Sequence, residues 1–166
     1  MTQQAPSPNQ TVENIQIIPG LLFPVKDKTL LLPNVSVAEV VDYQTPIAEE
    51  NAPHWYLGKI SWRGLMLPVI SFEAANGGSV SEKGENPRIA VINNIGTHHQ
   101  DVAFFAFVTQ NIPRLVKVES NNIEENTSDK TGVAEKINIA INDEVATIPD
   151  IEYLESLIHQ HVQSRK

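Results

Sequence analysis

The sequence predicts an all-β fold of barrel architecture with one C-terminal helix. Three observations carry that prediction. Apolar runs of four to seven residues recur along the chain, each bounded by turn-forming residues. Residues 54–73, HWYLGKISWRGLMLPVISFE, read as two short strands joined by a tight turn at Arg63-Gly64. Near the end, Ile151, Leu154, Leu157, Ile158 and Val162 repeat at helical spacing, which gives one amphipathic helix.

Taken in order, residues 1–16 are polar, carry Pro6 and Pro8, and read as a disordered tail. Residues 21–25 and 29–32 are apolar and flank Lys26-Asp27-Lys28, the pattern of a hairpin. Asn34 can cap a short helical turn over residues 35–41, entered after Pro33, although the valines there favour a strand equally. Residues 44–53, with Pro46 and Pro53, form a loop.

Strands 57–62 and 65–70 follow. In the first, Ile60 and Trp62 point one way while Lys59 and Ser61 point the other. In the second, Leu65, Leu67 and Val69 oppose Met66 and Ile70, so both faces are apolar, as in a strand within a small barrel. Pro68 has no amide proton, and an edge or bulge is expected there. Gly64 supplies the positive φ that a two-residue hairpin turn requires. Residues 77–87 are a linker by composition.

The second half opens with a strand over 88–92. Residues 102–108, VAFFAFV, favour a strand buried on both faces, and 96–101 then form the connection, with His98 and His99. Another strand covers 112–118. Residues 119–132 are acidic and polar and read as a surface loop. Ile137, Ile139 and Ile141 alternate with Asn138 and Ala140, as in a half-buried strand. Asn142-Asp143 turns into a strand over 144–148, and Asp150 caps the final helix.

Length and composition bound the function. A chain of 166 residues, 41% of them hydrophobic, suits one domain or two small subdomains sharing a core. The formal charge of −8 argues against binding a phosphate backbone. With no cysteine, neither disulfides nor thiolate metal sites are available. The first residues lack the basic and apolar regions of a secretory signal, and no apolar run reaches the length of a membrane span. A cytoplasmic location is expected.

The residues with chemical potential point away from catalysis. Neither GxGxxG nor GxxxxGK[ST] occurs, so those nucleotide loops are unsupported, and there is no GxSxG. His54, His98, His99, His159 and His161 lack the i, i+4 spacing of a helical zinc pair and read as surface or loop histidines. On a helix, His159 and His161 stand about 200° apart. Ser61 and Ser71 read as strand hydroxyls, and Glu49-Glu50 and Glu124-Glu125 as solvated loop carboxylates. No cofactor is implied. The aromatics Trp55, Tyr56, Trp62, Phe72, Phe104, Phe105 and Phe107 serve either core packing or a partner surface. Arg63 is either a solvated turn residue or an arginine held rigidly for an ion pair or partner contact.

The segment Leu57-Gly58-Lys59-Ile60, Ser61-Trp62-Arg63-Gly64 and residues 65–72 resembles the CheW-like family of chemotaxis coupling proteins. In that family a strand leads into an N-L-R-G turn, and a strand of the form V-L-P-V-[IV]-D-[LI] follows. Upstream, Leu30-Leu31-Leu32-Pro33 and Val37-Ala38-Glu39-Val40-Val41 resemble a family strand and its V-x-E-[IV] segment. The likeness covers residues 20–160. Ser61, Ser71 and Glu73 depart from the usual Asn, Asp and Arg; Ala103 replaces a glycine, and Phe107 stands near a usual acid. Such departures resemble the CheW-like proteins of type IV pilus, or twitching-motility, chemosensory systems.

The resemblance implies two intertwined five-stranded SH3-like barrels sharing an apolar core. The first would span about 20–78 and the second about 88–148, with a linker at 79–87 and a helix at 150–163, all in one domain over 17–163. It implies a non-enzymatic adaptor that couples a chemoreceptor's cytoplasmic tip to the regulatory domain of a chemotaxis histidine kinase, recruited to receptor arrays without inserting into the membrane. The alternative is a small barrel that binds nucleic acid or another protein. The site residues carried over are Arg63, Gly64, Trp62, Gly58 and Glu39, with Arg63 and Glu39 expected to form an ion pair.

Overall fold

The computed structural model describes residues 16–98 and 100–165. The expected N-terminal tail, except for residue 16, and His99 lie outside the described residues.

Eleven strands and two helices are described: β1 (Ile18–Val25), β2 (Lys28–Pro33), β3 (Val37–Asp42), β4 (Tyr56–Trp62), β5 (Leu65–Ile70), α1 (Phe72–Ala75), β6 (Arg88–Asn93), β7 (Phe104–Thr109), β8 (Arg114–Val118), β9 (Ile123–Glu125), β10 (Glu135–Ile141), β11 (Glu144–Pro149) and α2 (Ile151–Ser164). They form a six-stranded sheet of order β8-β1-β2-β11-β10-β9 and a five-stranded sheet of order β3-β6-β7-β5-β4. The chain begins in the first sheet, crosses to the second for β3–β7, and returns for β8–β11. The first two strands thus thread between strands from the second half of the chain, which is the intertwining that the family resemblance implied. The sheets are not partitioned at residues 79–87, since β6 and β7 lie beyond that linker yet join β3–β5.

Three apolar clusters follow from this arrangement. Ile60, Trp62, Leu67, Val69, Ile89, Val91 and Ala106 fill the five-stranded side. Leu22, Leu31, Ile139, Ile141 and Ala146 fill the six-stranded side. The largest lies between them: Phe23, Leu30 and Leu32 from one sheet meet Ile70, Ile92, Phe105 and Phe107 from the other, with Leu154 and Ile158 of α2 joining them. Phe23 meets Phe107 edge-on at 5.4 Å. Alternation places successive side chains of β1 in different clusters, Leu22 in one and Leu21 and Phe23 in the shared one.

A polar clamp accompanies the shared core. The Glu135 side chain on β10 is fully buried and pairs with Lys28. It also accepts hydrogen bonds from Asn76 Nδ2 at 2.9 Å and the Gly132 amide at 2.7 Å. Asn76, just after α1, in turn accepts from the Ala134 amide at 2.9 Å. A buried carboxylate with this many donors is satisfied, and it ties the α1 end of the five-stranded side to β10.

Several local expectations are corrected. Residues 35–41 are not a helical turn capped by Asn34. A single 3-10 turn, Asn34–Ser36, precedes β3, and no side-chain cap bond is made at its start. The β-branched Val37, Val40 and Val41 settle in the extended form because β3 has a ladder partner in β6. Ser71 is not a strand hydroxyl: it caps α1, and its Oγ accepts the Ala74 amide at 3.2 Å. The 119–132 loop contributes β9, paired with β10. Asn138 is buried, not outward, and accepts from Thr147 Oγ1 at 2.8 Å. Leu65 and Met66 are exposed, so only the last four residues of β5, 67–70, are buried on both faces. The irregularity expected at Pro68 falls on the opposing strand, between Tyr56 and Gly58. Pairing of β5 with β7 starts one residue later, at Val69, so Pro68 faces β4 alone.

Candidate protein-interaction site

The hairpin turn is as tight as its sequence requires. Trp62 pairs with Leu65, leaving Arg63 and Gly64 as the two turn residues, at φ 47° and 76°. Positive φ at both positions matches the right-handed strand twist of a two-residue hairpin. For Arg63 that conformation costs roughly 1 kcal/mol, so its side-chain contacts must offset the strain.

Those contacts close the sheet. β3 and β4 are the two outer strands of the five-stranded sheet and share no ladder. Even so, Glu39 on β3 accepts a hydrogen bond from the Trp62 indole Nε1 on β4 at 2.8 Å. Arg63 Nη2 lies 3.1 Å from the same Glu39 oxygen, so the predicted ion pair is present. The Arg63 guanidinium also sits 4.9 Å from the Trp62 ring centroid, a cation–π contact. Trp62 is buried and packs against Phe104 of β7 at 5.0 Å. The sheet therefore curls until its edges meet through one carboxylate, one indole and one guanidinium. Arg63 keeps 67% of its side chain exposed, and Glu39 keeps 38%. Leu65 and Met66, 46% and 52% exposed, lie directly beyond the turn. The result is an ordered arginine beside apolar side chains, braced from beneath by a tryptophan.

Gly58 has a different role from its neighbours. A Cβ there would lie 2.2 Å from the Ile47 carbonyl oxygen, and its φ is 130°. The 47–48 backbone crosses β4 at this point, and Ile47 and Lys59 exchange backbone hydrogen bonds of 2.8 and 3.0 Å. Gly58 admits that crossing and touches no surface chemistry.

A second polar cluster sits at the start of β4, and the sequence did not reveal it. Glu49 is not a solvated loop carboxylate. It accepts from the Tyr56 hydroxyl at 3.1 Å and pairs with Lys59 at 3.3 Å. Its other oxygen lies 3.5 Å from His161 Nε2, on the last turn of α2, and 3.2 Å from Nη1 of Arg165, the residue that follows the helix. His161 is buried, not a surface histidine; its ring lies 4.3 Å from Tyr56 and 6.1 Å from Trp55. Burial works to raise the Glu49 pKa, but the Tyr56 hydrogen bond and the close Lys59 and His161 donors, with the Lys59 charge, outweigh it and hold the carboxyl below its ordinary value. Burial pushes the Tyr56 hydroxyl upward, and its bond to the charged Glu49 adds to that. His159 points elsewhere, stacking on His98 at 4.0 Å and lying 3.6 Å from Asp101. This matches the 200° separation expected of the pair.

No group of three or more His, Cys, Asp or Glu among the described residues is arranged to hold a metal. No helix among them is long and apolar enough to cross a membrane.

Comparison with known proteins places this geometry in a context. The CheW-like domain profile matches residues 19–157. The crystal structure of the scaffolding protein TtCheW from Thermoanaerobacter tengcongensis superposes with a TM-score of 0.67 at 18% identity, covering 81% of this chain and 84% of that one. No curated protein matches the chain in sequence.

Proposed function

The chain belongs to the CheW-like family, and from that premise we propose that it is a non-enzymatic adaptor coupling a chemoreceptor to a histidine kinase in a signalling array. One observation supports this reading above the others. Glu39 and Trp62 both engage Arg63 at an exposed position, next to exposed Leu65 and Met66. Binding surfaces favour arginine and tryptophan as anchors because little conformational entropy is lost when a preorganised side chain is engaged. The partners in this reading are the kinase's regulatory domain and the cytoplasmic tip of the receptor. The site comprises Arg63, Trp62 and Glu39, with Gly64 and Gly58 shaping the backbone that presents them. An adaptor of this kind acts by binding one conformation of its receptor better than another and passing that difference to the kinase. It works in the cytoplasm, at the inner face of receptor arrays, with residues 17–163 as the functional unit.

Within the family, the chain serves a type IV pilus system. Ser61, Ser71 and Glu73 support this assignment, as departures from the common family pattern that leave the hairpin and the Arg63–Glu39 pair in place.

The test is capture of purified receptor tip and kinase regulatory domain from the same organism. The unmodified chain retains both, and an Arg63→Ala chain that is still folded retains less of at least one. Failure of the unmodified chain to bind either partner would exclude the adaptor role. For the narrower assignment, deletion of the gene should abolish twitching and spare flagellar swimming; the reverse would assign the protein to flagellar chemotaxis.

A further inference from the structure

The Glu49 cluster joins the end of α2 to β4 and to the loop before it. Tyr56 and Lys59 belong to β4, the strand that ends in Trp62 and Arg63. His161 belongs to the last turn of α2, and Arg165 directly follows it. Glu49 lies in the loop between β3, which carries Glu39, and β4. Arg165 reaches this loop twice, pairing with the Glu49 carboxylate and donating to the Glu50 carbonyl. The end of α2 thus grips one end of β4 through a single carboxylate, while the other end of β4 carries the proposed partner surface.

We propose that the last turn of α2 is a strap whose closure on Glu49 sets the order of the Glu39–Trp62–Arg63 cluster. The physical route is short. Ile47 is bonded to Lys59 through the backbone, and Gly58 lets the two segments cross in contact. Displacing Glu49 frees the 47–50 segment, and with it the outer edge of β4. Trp62 is the third residue beyond Lys59, and its indole bond to Glu39 depends on β4 holding its place against β3 with no ladder between them. Because coupling between sites is reciprocal, loosening Arg63 should also loosen the strap. The consequence for signalling rests on the adaptor reading; the coupling itself does not.

The chain's two tryptophans stand at the two ends of this route. Trp55 lies beside His161, and Trp62 bonds to Glu39. The experiment records the two indole N–H resonances of the full chain labelled with nitrogen-15. In Glu49→Gln, both resonances should move, and the Trp62 indole proton should exchange with solvent at least about fivefold faster relative to the amides of β10. Arg165→Ala, which removes a strap cation and leaves the loop intact, should do the same in smaller degree. Asp101→Asn alters the His159 contact on the other face of α2 and should leave Trp62 unchanged. Movement of Trp55 alone in Glu49→Gln and Arg165→Ala would overturn the coupling, and no movement of either would overturn the strap. The adaptor reading fails separately, by absence of partner binding.

Discussion

The two ends of β4 offer a comparison between charge clusters built on the same plan. Each centres on one carboxylate that gathers an aromatic hydrogen-bond donor and at least one cation. At the hairpin end, Glu39 receives Trp62 and Arg63; at the other end, Glu49 receives Tyr56, Lys59, His161 and Arg165. They differ in exposure and reach. Arg63 stands mostly in solvent with contacts left to make, whereas the Glu49 side chain is 19% exposed and draws in a helix from the end of the chain. One cluster leaves an exposed arginine at the surface, as the proposed adaptor role requires, and the other ties the chain's last helix to the strand that carries it.

Mutation of each end separates those roles. The largest effect is expected for Trp62→Ala. It empties a buried site of the five-stranded core and should cost about 3–5 kcal/mol in chemical denaturation. Gly58→Ala should follow at roughly 3 kcal/mol, because its Cβ collides with the Ile47 carbonyl where the two clusters are linked. A near-neutral Gly58→Ala would mean that the crossing relaxes freely and the ends of β4 are independent.

Glu49→Gln should cost about 1–2 kcal/mol, since it weakens several charge-assisted bonds around one partly buried group. Arg63→Lys should be nearest to neutral, within about 0.5 kcal/mol in stability, yet it should weaken partner binding because a lysine lacks the planar fork. Comparing its melting temperature with its partner affinity tests whether the exposed cluster serves binding more than folding.

Acid titration offers a further test of the Glu49 cluster. The Glu49 carboxyl is held below its ordinary value of 4.5 in the folded chain. A depressed carboxylate pKa stabilises the fold above the unfolded value, and that contribution is lost as pH falls through the folded value. Stability should therefore drop as pH is lowered from about 4.5, and Glu49→Gln should flatten that part of the profile. An unchanged profile would remove Glu49 as its cause.

How legible the molecule was in its sequence follows from the same contrast. The 57–70 hairpin, the Asp150 cap and the α2 stripe were readable because short-range chemistry determines them: a turn glycine, a side-chain oxygen three residues before an amide, a helical repeat. The Glu39–Arg63 pair was readable by family resemblance, although the positions lie 24 apart. The Glu49 cluster was not, because tertiary folding brings residues 49, 56, 59, 161 and 165 together and no spacing announces it. A partial signal was present: His159 and His161 on opposite sides of an amphipathic helix cannot both lie on its solvent face. β9 was hidden among Asn and Glu residues because an edge strand of three residues depends on β10 more than on its own propensity.

The departures from the family pattern also have a physical reading. Ser71 stands where an Asp is usual, and both residue types cap helices; here Ser71 caps α1. Glu73, in place of an Arg, accepts the Lys26 amide at 3.0 Å and so ties α1 to the β1–β2 turn. Phe107, near the place of a usual acid, is buried against Phe23 in the shared core. These three changes are absorbed by the fold and leave the Arg63 surface as it stands.

The most direct measurement is a calorimetric titration of the purified chain with the regulatory domain of its own organism's chemotaxis kinase, repeated with Arg63→Ala. Saturable binding that weakens at least about tenfold in the variant, with a cooperative melting transition that shows it still folded, is the predicted result. Equal affinity for both proteins would contradict the role given to the Arg63 cluster, and no binding by the unmodified chain to either the kinase domain or the receptor tip would contradict the adaptor account.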